Sequence, residues 1–510
     1  MIRRFSALGN AATRGAVVGA VMSILGMPAP AQATAIVGAT VIDGNGGPPL
    51  VNATLIIQGK RIVELGPRDR VKVPANALVI DAAGKYVTPG FIDVNVHVTG
   101  AGFMEELFPL LLYGEPNPLL KYGYALEAAQ MALKFGVTTV RDTYGPLPPL
   151  LELRDAIARG DAIGPRLLVA GDIIGWGGPH HGEGALTLIQ ERWNDYFHAY
   201  APVGRELTTM YPDQARVALS AYIDKGPDFI KIGVTSHSYS PPINMTFSPR
   251  VLRALVEEAH KRGLKVDVHS SMAEGHLMAA VAGVDVITHA EAGAQELSDE
   301  IVTVLRERKV ICAIFGGMVA GPVSEYAEAR QRPPSAAADV TPRVRQAIWP
   351  QRDSVSRLPV SSDARLRARL GGWGWDVDLR RRNAKKLIQG GCIIAVGTDA
   401  SPSPWPELRG PASPYFPDTG VGTIIAIEAL VRLGMTPGDA IVSATKHGAM
   451  AAGKLDQFGT LEVGKLADLL LLRADPLADI SNIRTVETVV KEGQVVDPAT
   501  LPTKPRYYRR

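Results

Sequence analysis

Val87-Thr88-Pro89-Gly90-Phe91-Ile92-Asp93-Val94-Asn95-Val96-His97 passes from a turn into an apolar strand whose far end is polar. Side chains alternate between the two faces of a strand, so Asn95 and His97 are expected to point together into an interior, with Val94 and Val96 turned toward helices. Seven further runs share this texture: Val137 to Asp142, Arg166 to Ile174, Asp228 to Val234, Leu264 to Ser270, Asp285 to Ala290, Val310 to Phe315 and Cys392 to Thr398. Amphipathic stretches that end near glycine lie between several of them. The clearest is Val251 to Arg262, with Gly263 as its C-terminal cap, and Gly283 and Gly390-Gly391 punctuate in the same way. Eight parallel strands alternating with helices predict an α/β fold, a (β/α)8 TIM barrel.

The flanks read differently. Residues 34 to 87 alternate short β-type runs with turn signals such as Gly44-Asn45-Gly46-Gly47-Pro48-Pro49. The texture returns over 456 to 500, where Asp468 to Leu472 and Thr485 to Lys491 are strand-like. Both chain ends are therefore expected to share one small composite β-sandwich beside a barrel spanning 88 to 455, with 501 to 510 as a tail. The connection from Gly316 to Gly391 is too long for an ordinary loop. Residues 316 to 380 are expected to form a lid or interface insertion, and the basic run Arg380 to Arg382 a solvated helix face.

The first 33 residues read as a secretory signal: Arg3, Arg4 and Arg14 form a basic region, Gly15 to Met27 is a short apolar run, and Ala31-Gln32-Ala33 is a small-x-small cleavage site. The apolar run is shorter than the roughly 20 residues a spanning helix needs, so no stable membrane insertion is expected after its removal. The protein is expected to be exported, periplasmic or secreted, and the paired arginines leave both the general and the twin-arginine routes open. Those three arginines account for the formal charge of +3, because 54 basic residues stand against 51 acidic ones over the whole chain. A neutral remainder gives no electrostatic footprint for nucleic acid. The two cysteines, Cys312 and Cys392, fall inside strand-like runs and are expected as buried free thiols.

Catalytic groups of such a barrel belong at the C-terminal ends of its strands, and the polar residues of this chain are placed there. Asn95 and His97 end the first strand, Lys231 lies in Phe229-Ile230-Lys231-Ile232, His269 and His289 end the fifth and sixth, and Asp399 follows the eighth in Gly397-Thr398-Asp399. Singly, each has an ordinary reading: a hydrogen-bonded histidine, a paired lysine, a capping aspartate. Together they would converge on one mouth.

This ordered set, with Val137-Thr138-Thr139-Val140-Arg141-Asp142 and Gly464-Lys465-Leu466-Ala467-Asp468, resembles the amidohydrolase superfamily over essentially the whole chain beyond the leader. The resemblance implies one or two divalent ions, zinc first, with iron, cobalt or manganese as alternatives. It makes His97 a first-site ligand, Lys231 a bridging ligand carrying a CO2-derived carbamate, His269 and His289 second-site ligands, and Asp399 both ligand and proton acceptor. The metal would acidify a bound water and polarise the substrate carbonyl. The sequence departs from the usual His-x-His of the first strand: Asn95 would offer an amide oxygen, a poorer ligand than imidazole, so one tightly bound ion is compatible.

The Asn-x-His form is similar to the phenylurea and molinate hydrolase subgroup, and the chain also resembles ochratoxinase-like amidases and proline dipeptidases. That implies hydrolysis of an amide, urea or carbamate C–N bond in a neutral, apolar or aromatic small molecule, with an Xaa-Pro or N-acyl amino acid amidase as the alternative. Phe103 to Tyr113, Trp176, His180-His181, His237, Tyr239 and Trp405 follow the strands and suit an apolar pocket. His181, Trp176, His237 and Tyr239 are the candidate substrate-binding residues, and His237 is also the candidate for orienting the carbonyl or leaving group. A mononuclear deaminase using Glu274 and a non-catalytic exported binding protein are the rivals. A homo-oligomer is expected.

Overall fold

Strands from the two chain ends meet in one sheet. The structure is a computed structural model that describes residues 32–99, 118–176, 203–236, 243–293, 295–320, 377–401 and 419–501. Its first strands are β1 (Thr34–Val41), β2 (Leu50–Gln58), β3 (Arg61–Pro67), β4 (Leu78–Asp81) and β5 (Tyr86–Pro89). The barrel-region strands follow: β6 (Phe91–Val96), β7 (Val137–Asp142), β8 (Arg166–Val169), β9 (Ile173–Ile174), β10 (Ile230–Gly233), β11 (Val266–His269), β12 (Val286–Thr288), β13 (Ile311–Ile314) and β14 (Ile393–Val396). The chain ends with β15 (Leu469–Leu472), β16 (Val486–Lys491) and β17 (Gln494–Val496). The eight-stranded sheet runs β17-β16-β15-β5-β1-β2-β3, with β4 beside β1. Residues 1–31 of the leader and residues 321–376 of the expected insertion lie outside the described residues.

Strand β15 shows why the sheet and the helical layer hold together. Its four leucines are all buried, the signature of a central strand covered on both faces. Leu469 and Leu471 pack with Ile36, Val87 and Val490 inside the sheet unit, whereas Leu470 and Leu472 join the large cluster of the barrel region. Gly136 turns the chain into β7 at φ 83°, and a Cβ there would lie 2.7 Å from Leu470. Glycine thus meets a left-handed turn and a close approach at one position.

All eight predicted runs contain parallel strand, the third being divided between β8 and β9. β6, β7 and β8 form one sheet and β9 to β14 another. Main-chain bonds link the last run to the first: the Asp399 N–H donates to Asn95 O at 2.7 Å and the His97 N–H to Ala400 O at 2.8 Å. The helices between strands follow ordinary capping rules. Pro249–Lys261, for instance, starts at Ser248, whose hydroxyl accepts from the Val251 N–H.

One expectation about β6 needs correcting. Val96 faces the helical cluster, but Val94 packs with Ile92, Val286, Ile311, Ala313 and Ala395. The β6–β7 register shifts between Asp93 and Val96, and an irregular residue there resets the alternation that a regular strand would keep. Basic run 380–382 also departs from a uniformly solvated face. Arg380, on helix Val377–Gln389, is 2% exposed and its guanidinium donates to the buried carboxylate of Glu291, while Arg382 stays exposed beside Glu296. Cys312 and Cys392 are both free and buried on the neighbouring strand runs.

Beneath the strand ends lies a fully buried ion pair. Arg141 grips both oxygens of Asp267 at 2.7 and 2.8 Å and its guanidinium sits 4.0 Å over the Phe229 ring. Replacing Arg141 by Met alone is expected to cost about 3–5 kcal/mol, because an unpaired carboxylate remains in an apolar interior. Adding Asp267→Leu should recover most of the loss. Thermal unfolding of the two single variants and the double variant checks this; a double variant no more stable than Arg141→Met would reject it.

Candidate active site

His97, Lys231, His269, His289 and Asp399 come from five separate strand runs and face one another across the C-terminal ends. Asp399 is the meeting point. Its Oδ1 lies 2.8 Å from His97 Nε2, 3.5 Å from His289 Nε2 and 3.1 Å from Asn95 Nδ2. The His269 and His289 rings are 5.1 Å apart between centroids, nearly edge-on. Lys231, which pairs in register with Asp267, places its Nζ on the hydroxyl of Thr288. That hydroxyl passes on to Val268 O at 3.0 Å.

Two of these residues hold backbone conformations that L-residues seldom adopt: φ is 58° at His289 and 55° at Asp399. Such conformations cost about 1–3 kcal/mol each and persist where surrounding contacts over-determine them. The restraint at Asp399 can be traced. Asp93, wholly buried, accepts from Asn95 N, Thr398 N, Thr398 Oγ1 and Thr423 Oγ1 at 3.2, 3.2, 2.7 and 2.7 Å. It ties β6 to the residue before Asp399 and to helix Val421–Arg432. Burial pushes its carboxyl up to about 6 despite those donors.

The electrostatics are those of a buried, charge-dense mouth. Burial pushes the Lys231 ammonium down to about 8, with Asp267 and Asp399 opposing the shift and Arg141 adding to it. Burial alone would raise Asp399, but His289, His97 and Lys231 together hold it well below the usual carboxylate range. Burial drives His289 down to about 4; for His97 the neighbouring Asp399 outweighs burial and lifts it above the usual imidazole value. Asp142, at the end of β7, is raised to about 7 by burial, tempered by His97. Its carboxylate accepts from Val98 N at 2.6 Å and Tyr144 N at 3.1 Å, and the Tyr144 ring stands edge-on to His97 at 5.9 Å.

The donor set suits a divalent ion of the zinc, cobalt, iron or manganese type: three imidazoles, a carboxylate and a lysine whose ammonium is disfavoured by burial. His97 Nδ1 is buried with no hydrogen-bond partner among the described residues. Among the described residues no three His, Cys, Asp or Glu side chains are grouped around a common point as ready ligands. By donor chemistry these side chains could hold a metal, and His97, His269, His289, Asp399 and Lys231 are the candidates to do so.

The Asn95 amide lies between Asp399, to whose Oδ1 its Nδ2 donates at 3.1 Å, and the hydroxyl of Thr143. A carboxylate without its proton can only accept, so the NH2 group must face Asp399. Oδ1 then faces the Thr143 hydroxyl, which donates to it. Trp176 is buried; its Nε1 donates to Thr235 O at 2.8 Å and its ring stands edge-on to His269 at 4.7 Å. Gly233 makes room for it, since a Cβ there would fall inside the indole. Glu274 is exposed in the first turn of helix Ala273–Ala282. His181, His237, Tyr239, Trp405 and Phe103 to Tyr113 lie outside the described residues.

Asp142, Thr143, Thr288 and the Arg380–Glu291 pair escaped the sequence reading. Asp142 and Thr288 stand at strand ends, where the rule that found the histidines applies equally. Arg380 carried no comparable signal, since its partner is 89 residues away.

The chain matches the Amidohydrolase family over residues 86–496. Among solved structures it is similar to molinate hydrolase, with 31% identity, a TM-score of 0.76 and coverage of 94% of this chain and 98% of that one. It is similar also to phenylurea hydrolase B, with 30% identity, a TM-score of 0.73 and coverage of 94% and 100%. Ochratoxinase from Aspergillus niger is 24% identical over 469 residues, 88% of this chain and 83% of its own length. Since the match begins where β5 begins and ends with β17, and the strand ends gather the residues described above, the chain belongs to the amidohydrolase family.

Proposed function

We propose that this protein hydrolyses an amide, urea or carbamate C–N bond in a neutral, aromatic or apolar small molecule, in a closed (β/α)8 barrel with a composite β-domain. The family is one of hydrolases that are generally dependent on divalent metals, and its hydrolase relatives support action on C–N bonds. The narrower reading is supported by similarity at 30–31% identity to molinate hydrolase and phenylurea hydrolase B along nearly the full chain. The observation that carries it is the convergence of His97, His289 and Asn95 on one carboxylate oxygen of Asp399.

A divalent ion held by His97, His269, His289, Asp399 and a carbamate on Lys231 would supply an acidified water and polarise the scissile carbonyl. The chain's own residues do the rest. Lys231, with its ammonium already destabilised by burial, is suited to give up a proton and, as the neutral amine, form an N–C bond to CO2 with release of a second proton to solvent, leaving an anionic carbamate oxygen donor where a buried cation stood. Asp399, ionised across the ordinary range, takes a proton from the attacking water and passes it to the departing nitrogen. Water is thereby divided, its hydroxyl to the acyl carbon and its hydrogen to nitrogen. Trp176 holds the His269 ring in place, and His237, with His181 and Tyr239, is proposed to orient the substrate. Export behind a leader cut after Ala33, and assembly as a homo-oligomer, complete the proposal.

Turnover of aryl ureas, carbamates, N-acyl amino acids and Xaa-Pro peptides by metal-loaded protein tests this directly; failure on the ureas and carbamates with success on the peptides would overturn the substrate class. Asp399→Asn is expected to lower kcat on the order of 10²–10⁴-fold, because the proton acceptor is lost while an oxygen donor remains. Metal content measured beside kcat should stay near wild type, and an unchanged kcat would refute the role. Metal-free protein reloaded in CO2-depleted buffer is expected to regain little activity until bicarbonate is added. Lys231→Ala should show no bicarbonate response, and recovery of the wild type without bicarbonate would argue against the carbamate.

A further inference from the structure

We propose that His276 is a positioning residue: buried between the strand ends that carry His269 and His289, it fixes those two segments against each other and so sets how well their rings would share a metal. The inference rests on the metal-dependent reading above for the use made of the rings. His276 itself has no part in that chemistry.

His276 lies in helix Ala273–Ala282 and is wholly buried. Each of its ring nitrogens faces a different strand end. Nδ1 lies 3.0 Å from Ser270 Oγ and 2.9 Å from Met272 O, in the segment that leaves β11 after His269. Nε2 lies 2.9 Å from the carbonyl oxygen of Ala290, the residue after His289. A carbonyl oxygen only accepts, so Nε2 donates there. The Ala290 N–H is held on Ala313 O at 3.2 Å. Both main-chain polar atoms of Ala290 are thus fixed, one by β13 and the other by His276. That double restraint adjoins the left-handed backbone of His289, at φ 58°, a conformation that persists where its surroundings over-determine it.

The strand end of Lys231 joins the same belt. The Val234 N–H donates to His269 O at 3.0 Å, and the Thr235 hydroxyl accepts from the Ser271 N–H at 3.1 Å and lies 3.0 Å from Ser271 Oγ. Thr235, Ser270 and Ser271 are wholly buried. Gly275 lets the helix press against them, since a Cβ there would lie 2.4 Å from Ser270 Oγ and 2.9 Å from Thr235 Cγ2. An apolar side chain at position 276 would fill the space but remove the donor to Ala290 O, leaving that carbonyl short of a partner in the interior. The imidazole spans both strand ends by hydrogen bonds, which is how it transmits position from one ring to the other.

Full-length wild type, His276→Phe, His276→Gln and Ser270→Ala test the role. Co2+ affinity is measured by competition with a chelator, the visible bands of the cobalt protein are recorded, and thermal unfolding is followed on the metal-free forms. His276→Phe is expected to weaken Co2+ binding roughly 10–100-fold and to shift the bands. His276→Gln, which keeps an N–H for Ala290 O, should return the bands to their wild-type positions and most of the affinity. Ser270→Ala should shift affinity in the same direction as His276→Phe by less, and it decides the matter if His276→Phe does not fold. Wild-type affinity and bands in His276→Phe, with only its metal-free unfolding temperature lowered, would make His276 an ordinary packing residue and overturn the inference. A His276→Gln protein no better than His276→Phe would overturn it too, because ring volume and not hydrogen bonding would then matter. A wild type that takes up no Co2+ refutes the metal-dependent reading and the inference with it. A wild type that binds Co2+ but hydrolyses no C–N substrate refutes the substrate reading alone, and the cobalt comparison still decides the role of His276.

Discussion

The link between the first and last strand runs is the constraint on which the site depends. Two main-chain bonds, Asp399 N–H to Asn95 O and His97 N–H to Ala400 O, bring together residues some 300 positions apart. Asp93 reinforces that seam with four hydrogen bonds at its buried carboxylate. Because buried polar groups are costly unless satisfied, the seam has one favourable arrangement, and Asp399 is carried into a left-handed backbone conformation as part of it. The positions of His97, Asn95 and His289 around its carboxylate follow from that single placement.

Charge inside the barrel region is balanced in tiers. Arg141 and Asp267 neutralise each other below the mouth, and Arg380 and Glu291 do so beside it, with Glu291 also accepting from Phe315 N at 3.3 Å. Phe315 in turn lies 5.9 Å from the His289 ring. Lys231 lies near Arg141, Asp267 and Asp399, and burial pushes its ammonium down to about 8. A group in that position is poised to lose its charge, which links the electrostatics of the fold to the carbamate chemistry proposed for it.

Sequence patterns picked out His97, Lys231, His269, His289 and Asp399, which the structure brings near one another, because a polar residue closing an apolar strand run carries positional meaning. The same patterns misplaced Val94, since strict alternation assumes a regular strand and the β6–β7 register slips by a residue. They also put Arg380 in solvent along with Arg382. Only the helix's contact with the segment after β12 separates the two, burying one guanidinium on Glu291 and leaving the other beside exposed Glu296.

Alternating hydrophobicity, glycine punctuation and polar strand ends by themselves determined the order of parallel strands and helices, and which of the described side chains lie together at the strand ends. These are local properties, set by backbone geometry and the need to bury apolar surface. Tertiary structure decided how those side chains are turned: which end of the Asn95 amide faces Asp399, that Trp176 props His269, and that Asp93 ties the seam. Hydrogen-bond direction depends on partners distant in sequence, and no local pattern encodes it.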